Sequence, residues 1–184
     1  MIPSQSLLPE SAAEQIALYR ILRDCARALQ PKTYLEIGCR EGDSLLRVMD
    51  AASLTLAVVC DIWDGNYGGT ARGSCSHVRQ LVKDSATHVL FLTGRSQDIL
   101  PHLTFQFDMI LVDGDHSLDG ARADLLHSWS LLRPGGILVM DDLTHVGHPY
   151  LGSLFHDFAA KMQAEILSES LVGVGAGALR KVKD

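Results

Sequence analysis

The sequence lacks the features that define several large classes of protein. It contains no run approaching the roughly 20 apolar residues that cross a bilayer, and its first residues show neither the basic start nor the apolar stretch of a signal peptide. Its four cysteines show no C-x-x-C spacing, which argues against a zinc site and does not suggest a disulfide framework. We therefore expect a cytoplasmic protein without a membrane partner.

Positive charge is also scarce. The chain has 16 Lys and Arg residues against 22 Asp and Glu residues, and the basic residues cluster only at Arg180 to Lys183. Proteins that bind a nucleic-acid backbone carry a basic patch or stripe, because they neutralise phosphates. With a net charge of −6, we expect a small molecule rather than a nucleic acid as the partner.

The pattern of apolar segments predicts the fold class. With 184 residues, 47% of them hydrophobic, the chain fits one domain over residues 1–184, with an N-terminal helix at residues 10–30. The predicted strands are 33–37, 55–60, 89–92, 109–112, 137–140, 164–167 and 178–182. Helical segments alternate with the first five strands, which predicts a doubly wound α/β fold with a mostly parallel sheet. The last two strands have no helix between them and predict an antiparallel hairpin at one edge.

Capping residues mark the predicted helices. Ser11 and Glu14 form a capping box in the N-terminal helix, and Asp43 or Ser44 can cap a second one. The other predicted helices are 75–84, a short one before Pro101, 117–133 and 151–163. Four glycines in segment 64–76 predict a mobile loop that closes over the site, with a long connector as the alternative.

Acidic side chains follow two of the predicted strands. Asp113, Asp115 and His116 come directly after strand 109–112, and Asp141 and Asp142 follow strand 137–140. Ligands of an open parallel sheet bind beyond the carboxyl ends of its strands, so both groups can face one site. Two such charges about 4 Å apart repel by roughly 4 kcal/mol, so converging carboxylates need a cation or must partly protonate. Their oxygen atoms suit Mg²⁺ or Mn²⁺, unless the acids are only solvated or cap turns.

A glycine turn after the first strand indicates a nucleoside site. Glu36 precedes a Gly-x-x-x-Gly turn from Gly38 to Gly42, which differs from the Gly-x-Gly-x-x-Gly of dinucleotide-binding enzymes. A ligand without phosphates needs only close backbone approach and an acid for its positive group. Asp61, at the end of the second strand, can accept hydrogen bonds from both ribose hydroxyls. A purely structural turn and a helix cap are the alternatives.

Together, residues 34–42, Asp61 and residues 94–96 resemble the motifs of class I S-adenosylmethionine-dependent methyltransferases, and the resemblance covers nearly the whole chain. Membership implies a Rossmann-like, seven-stranded sheet whose sixth and seventh strands pair antiparallel, and S-adenosyl-L-methionine as cofactor. The cofactor-binding residues that the resemblance implies are Glu36, Gly38, Gly42, Asp61, Ile62, Ser96 and Asp113.

Within that class, the acids and the histidine are similar to those of metal-dependent O-methyltransferases of the macrolide-sugar and related small-molecule type. That resemblance implies Asp113, Asp141 and Asp142 as ligands of Mg²⁺ or Mn²⁺, and His116 as the catalytic base. His145 or His148 lies near the same strand end and competes for the role of base. The function it implies is O-methylation of a small-molecule hydroxyl.

Two other functions stay open. A metal-independent methyltransferase would use the acids only to position cofactor and substrate, and a non-catalytic protein of the same fold would act as a binding partner. Nucleic-acid methylation is disfavoured by the acidic charge balance and the lack of an Asn/Asp-Pro-Pro-aromatic motif. The chain is short and has no obvious lid domain, so the acceptor is not identified and a homo-oligomer that completes the site stays open.

Overall fold

The computed structural model describes residues 17–64 and 74–182, which form a seven-stranded sheet. The strands are β1 (Thr33–Ile37), β2 (Leu56–Asp61), β3 (His88–Thr93), β4 (Phe107–Val112), β5 (Leu132–Asp141), β6 (Glu165–Ser170) and β7 (Ala176–Arg180). Their order across the sheet is β3-β2-β1-β4-β5-β7-β6. Strands β1 to β5 are parallel, and β7 runs antiparallel to both β5 and β6. The predicted fold class and the antiparallel edge hairpin are confirmed.

Helices cover both faces of the sheet. They are α1 (Ala17–Leu29), α2 (Asp43–Ala51), α3 (Cys75–Val82), α4 (Ser96–Ile99), α5 (Leu118–Leu131) and α6 (Leu151–Lys161), with a 3₁₀ turn at Leu100–His102. In β4, Met109 and Leu111 pack with α1, α2 and α3, whereas Ile110 and Val112 pack with α5 and α6. Because successive strand residues point to opposite faces, a strand covered on both sides needs an unbroken apolar run. No helix in the described ranges is long and apolar enough to cross a membrane.

The junction between α5 and β5 differs from its prediction. Helix α5 ends at Leu131 instead of Arg133, and β5 begins at Leu132 instead of Ile137, so that the strand includes a Pro-Gly-Gly segment of the kind that usually forms a turn. This early part of β5 pairs Leu132 with Phe107, and a register shift precedes the regular pairing with β4. Gly136 fits there because a Cβ atom would lie only 2.8 Å from the Asp108 carbonyl oxygen.

Two predicted helix starts have different outcomes. The Ser11–Glu14 capping box lies outside the described residues. Helix α2 begins at Asp43 as predicted, but Gly42 in a left-handed conformation (φ 88°) is its N-cap, and no side chain caps it. The capping role predicted for Asp43 or Ser44 is therefore wrong; the Ser44 hydroxyl bonds to a carboxylate in β1 instead.

The topology brings the ends of β1 and β4 into contact. These strands are neighbours in the sheet, and the chain order reverses between them, which opens a crevice at their carboxyl ends. A Cβ atom on Gly38 would overlap the carbonyl oxygen of Asp113, so only glycine allows the two turns to approach this closely. Gly38 also has a positive φ of 81°, which an L side chain rarely adopts.

Candidate active site

A cavity of about 830 Å³ lies at the carboxyl ends of the parallel strands. Its wall comes from the turns after β1 to β5, from the chain that follows β5 and from the β6–β7 turn. Of the predicted cofactor-binding residues, those in the wall are Gly38, Asp61, Ile62, Ser96 and Asp113. All four residues predicted for metal binding and catalysis, Asp113, His116, Asp141 and Asp142, also lie in it. Small-molecule sites commonly have volumes of this size.

Asp61 joins the turns after β1 and β2. Its Oδ2 accepts hydrogen bonds from the backbone N–H groups of Cys39 (2.8 Å) and Arg40 (2.9 Å), and Oδ1 accepts one from Trp63 (2.6 Å). A carboxylate has about four acceptor positions, so roughly one remains for a ligand. The contact of Asp61 with ribose hydroxyls stays a prediction.

Glu36 and Gly42 are not in the cavity wall that the described residues form. Glu36 is fully buried and accepts hydrogen bonds from the Tyr34 hydroxyl (2.7 Å) and the Ser44 hydroxyl (2.9 Å). Burial raises the pKa of Glu36 to about 7, although these hydrogen bonds oppose the rise. Glu36 therefore links β1 to α2, and its direct contact with a cofactor stays a prediction.

The acid cluster forms where β4 and β5 end. The Nε2 atom of His116 lies 3.3 Å from Asp113 Oδ1 and 3.2 Å from Asp142 Oδ2. Each of these three residues has one potential metal-ligand atom, and these three atoms lie within 4.8 Å of one another. Asp142 is buried and adopts a left-handed conformation (φ 63°) directly after β5. The structure thus brings together His116 and two of the three acids that were predicted to bind the metal.

Asp141 lies in the same wall but outside that three-residue group. Its Oδ1 atom is buried and has no hydrogen-bond partner among residues 17–64 and 74–182. Burial, followed by the negative charges of Asp113 and Asp142, raises the pKa of Asp141 to about 8. A buried carboxylate beside like charges is stabilised by a cation, so its unpartnered oxygen fits a nearby positive ion.

The electrostatics of the cluster fit the same conclusion. Burial raises the pKa of Asp113, although the hydrogen bond and charge of His116 oppose it. The hydrogen bond to Asp113 in turn raises the pKa of His116, against the effect of burial. The carboxylates of Asp113, Asp141 and Asp142 supply the oxygen ligands that Mg²⁺ or Mn²⁺ prefers, whereas the imidazole of His116 does not select for these ions.

Sequence reasoning missed two residues that hold the acid-rich turn. The Tyr150 hydroxyl donates a hydrogen bond to the His116 carbonyl oxygen (2.8 Å). The side chain of Asp124, buried in α5, accepts a hydrogen bond from the backbone N–H of Asp115 (3.4 Å), and burial raises its pKa to about 6 although the Ser96 side chain opposes this. No local pattern marks Tyr150, but an acid on the core-facing side of a predicted helix could have identified Asp124.

The rings of His116, His148 and His145 lie next to one another in that order. The ring centroid of His148 lies 5.1 Å from that of His116 and 5.1 Å from that of His145. Both residues lie in the cavity wall, and His148 Nδ1 is 3.3 Å from the Tyr150 hydroxyl oxygen. Of the three histidines, however, only His116 belongs to the three-residue acid and histidine group.

Most of the predicted mobile loop 64–76 lies outside the described residues. Asp64, at its start, is in the cavity wall, and Ser74, near its end, caps α3 by accepting a hydrogen bond from the His77 N–H (3.2 Å). Residues 65–73 are not described. Closure of this loop over the cavity stays a prediction.

The strand order, the antiparallel last strand and a cavity beside the glycine turn together define a class I S-adenosylmethionine-dependent methyltransferase fold. Residues 35–143 match the family model described as a methyltransferase domain, and the chain belongs to that family. The family assignment made from the sequence is therefore confirmed. A comparison with curated proteins finds no match.

Solved structures share the fold at low sequence identity. TomG, an O-methyltransferase from Streptomyces achromogenes involved in tomaymycin synthesis, is 23% identical over 90% of this chain and 79% of its own, with a TM-score of 0.66. An O-methyltransferase from Bacillus cereus is 19% identical, with coverages of 98% and 93% and a TM-score of 0.69. The N-methyltransferase NodS from Bradyrhizobium japonicum is 16% identical, with coverages of 96% and 100% and a TM-score of 0.71.

Proposed function

We propose that this methyltransferase transfers a methyl group to a hydroxyl oxygen of a small molecule, with the assistance of a divalent cation. The observation that carries the proposal is the convergence of Asp113, His116 and Asp142 in the wall of the cavity. A carboxylate cluster that can hold a cation beside a histidine base is suited to activating a hydroxyl group.

S-adenosyl-L-methionine would supply the electrophilic methyl group. Gly38 lies in the cavity wall, and Asp61 retains an acceptor position for a ribose hydroxyl. Ile62 and Ser96 line the same part of the cavity, between the turns after β2 and β3. The hydrogen bonds of Asp61 already join the turns after β1 and β2, so these two turns need less ordering when the cofactor binds.

Asp113, Asp141 and Asp142 would hold Mg²⁺ or Mn²⁺. A cation at these acids is a Lewis acid that lowers the pKa of a bound hydroxyl. The unpartnered, buried Oδ1 atom of Asp141 supports its inclusion, although Asp141 is outside the three-residue group. His116, whose Nε2 atom is within 3.3 Å of both Asp113 and Asp142, would be the alternative third ligand, and in that arrangement it would not serve as the base.

His116 would remove the proton from the acceptor hydroxyl at its Nε2 atom. That atom faces Asp113 and Asp142, so a hydroxyl held beside the acids also lies beside the imidazole. Tyr150 fixes the backbone of His116 through its hydrogen bond to the carbonyl oxygen. Holding acceptor and cofactor in the same cavity would supply much of the rate acceleration, because the reacting atoms start close and aligned.

The experiment has two stages. Calorimetric titration with S-adenosyl-L-methionine is expected to give micromolar binding, which corresponds to about −8 kcal/mol. Titration with Mn²⁺, followed by electron paramagnetic resonance, then compares the wild type with Asp142→Asn and with Asp119→Asn, an exposed acid paired with Arg122. We expect Asp142→Asn to weaken Mn²⁺ binding by at least about tenfold, and Asp119→Asn to leave it unchanged.

Each stage can contradict a different part of the proposal. Failure to bind the cofactor, in calorimetry and in a thermal-shift assay, would favour a non-catalytic protein. If the two variants bind Mn²⁺ with equal affinity, the cation does not bind at these acids. Methyl transfer to a test acceptor such as catechol that survives thorough chelation would favour a metal-independent enzyme, and an unchanged rate in His116→Ala would exclude that residue as the base.

A further inference from the structure

Several large apolar side chains are exposed where the chain after β5 meets the β6–β7 turn. Val146 is 92% exposed, Leu171 65%, Val172 70% and Val174 39%. We call these four residues the apolar rim. Tight turns and loops are usually built from polar residues and glycine, and exposed apolar groups clustered in one place mark binding surfaces.

Hydrogen bonds hold the two segments of the apolar rim together. The Thr144 N–H donates to the Val174 carbonyl oxygen (2.7 Å), and the Thr144 hydroxyl donates to the Gly173 carbonyl oxygen (3.1 Å). A third hydrogen bond joins the Leu143 N–H to the Gly175 carbonyl oxygen (3.2 Å). The apolar rim is therefore attached to the chain that carries the acids of β5.

The turn does not need these apolar side chains for its own geometry. Gly173 and Gly175 supply its positive φ angles, 70° and 75°. Leu171 and Val172 expose most of their surface to water. Because apolar surface in water is unfavourable, the rim gains stability when a ligand covers it.

The apolar rim is continuous with the cavity. Val174 belongs both to the rim and to the cavity wall, where it accompanies His145 and His148. The wall on this side also carries Asp141 and Asp142, whereas Arg40 and Arg95 lie on the turns after β1 and β3. The arginines, which are the groups that would pair with an anionic acceptor, therefore lie on turns other than those that adjoin the apolar rim.

We propose that the apolar rim binds the apolar body of an uncharged, amphipathic acceptor whose hydroxyl end reaches the acid cluster. This inference rests on the proposed function, because it assigns the acceptor class for the same site. A second copy of the chain is the competing occupant. The acceptor is favoured because the rim extends the cavity wall through Val174.

The test uses catechol and its 4-methyl, 4-ethyl, 4-propyl and 4-butyl derivatives, titrated by calorimetry with Mg²⁺ and without cofactor. In the wild type, each added methylene that reaches the rim is expected to raise affinity about fourfold. The double variant Leu171→Ser/Val172→Ser is expected to lose most of this dependence on chain length. The control is Leu90→Ser, which replaces a 49% exposed leucine on the edge strand β3, at the opposite side of the sheet, and should retain it.

Three results would overturn the proposal: no binding of any derivative, an affinity independent of chain length, or the same dependence in the double variant as in the wild type. Sedimentation velocity gives a further test, because a wild-type dimer that the double variant converts to monomers would assign the rim to a second copy. The proposed function fails separately, through loss of S-adenosyl-L-methionine binding, which this titration does not use.

Discussion

Replacement of Glu36 by glutamine should change the pH dependence of stability. Glu36 is fully buried between the hydroxyl groups of Tyr34 and Ser44, and burial raises its pKa from 4.5 to about 7. Between these two values the folded protein holds a proton that the unfolded chain has released. The free energy of unfolding therefore falls as pH rises through this range, and the contribution is constant above about pH 7.

The expected size follows from the difference between the two pKa values. Each pKa unit corresponds to about 1.4 kcal/mol, so ionising Glu36 in the folded protein costs about 3 kcal/mol. Glutamine has almost the same shape but does not ionise, and the Tyr34 and Ser44 hydroxyls can rotate to accept from its amide group. The variant should gain about 3 kcal/mol relative to the wild type between pH 4.5 and pH 8.

Urea unfolding at several pH values between 4.5 and 8 measures this difference directly. Titrating groups that do not interact with Glu36 act equally on both proteins, so the change in the difference with pH reports mainly on Glu36. Glu41→Gln, which removes an equal charge from a residue that is not fully buried, serves as the control and should show no comparable trend. If the difference in the free energy of unfolding between wild type and Glu36→Gln does not change with pH, the raised pKa of Glu36 is refuted.

Three further variants test other contacts. Asp108→Ala removes the acceptor of two backbone N–H groups (2.8 and 2.9 Å) at the start of β1, and urea unfolding should show a loss of about 2 kcal/mol. Gly38→Ala places a methyl group on the Asp113 carbonyl oxygen, so calorimetry should show S-adenosyl-L-methionine affinity reduced by at least about tenfold. Tyr150→Phe frees the His116 backbone; kcat for methyl transfer should fall severalfold while cofactor affinity is unchanged, and a fall in both would indicate general misfolding.

The fold was predictable because its strongest signals are local. An unbroken apolar run such as Met109 to Val112 specifies a strand buried on both faces, and the helices between strands specify parallel pairing. The strand boundaries were less accurate. The sequence of β5 contains proline and glycine residues typical of turns, but its pairing with Phe107 across the sheet extends the strand over them.

The candidate site was predictable in its composition but not in its contacts. Acids at two adjacent strand ends identified the cluster, whereas the sequence did not specify the left-handed conformation of Asp142 or which of the acids lie nearest His116. The contact of Tyr150 with His116 joins residues that are distant in the chain. The sequence assigned Glu36 to the cofactor because an acid beside a glycine turn fits that role, but it did not indicate the hydrogen bonds to the Tyr34 and Ser44 hydroxyls in the core.

The contact between Gly38 and Asp113 constrains how this protein can be altered. The turn that would approach the nucleoside and the turn that begins the acid cluster touch through their backbones, and the Asp113 N–H donates a hydrogen bond to the Ile37 carbonyl oxygen at the end of β1 (3.0 Å). An engineer who exchanges one turn to accept a different cofactor would therefore also displace the acids. The glycine turn and the acid-rich turn must therefore be changed together, and new acceptor specificity is easier to introduce at the outer turn between β6 and β7.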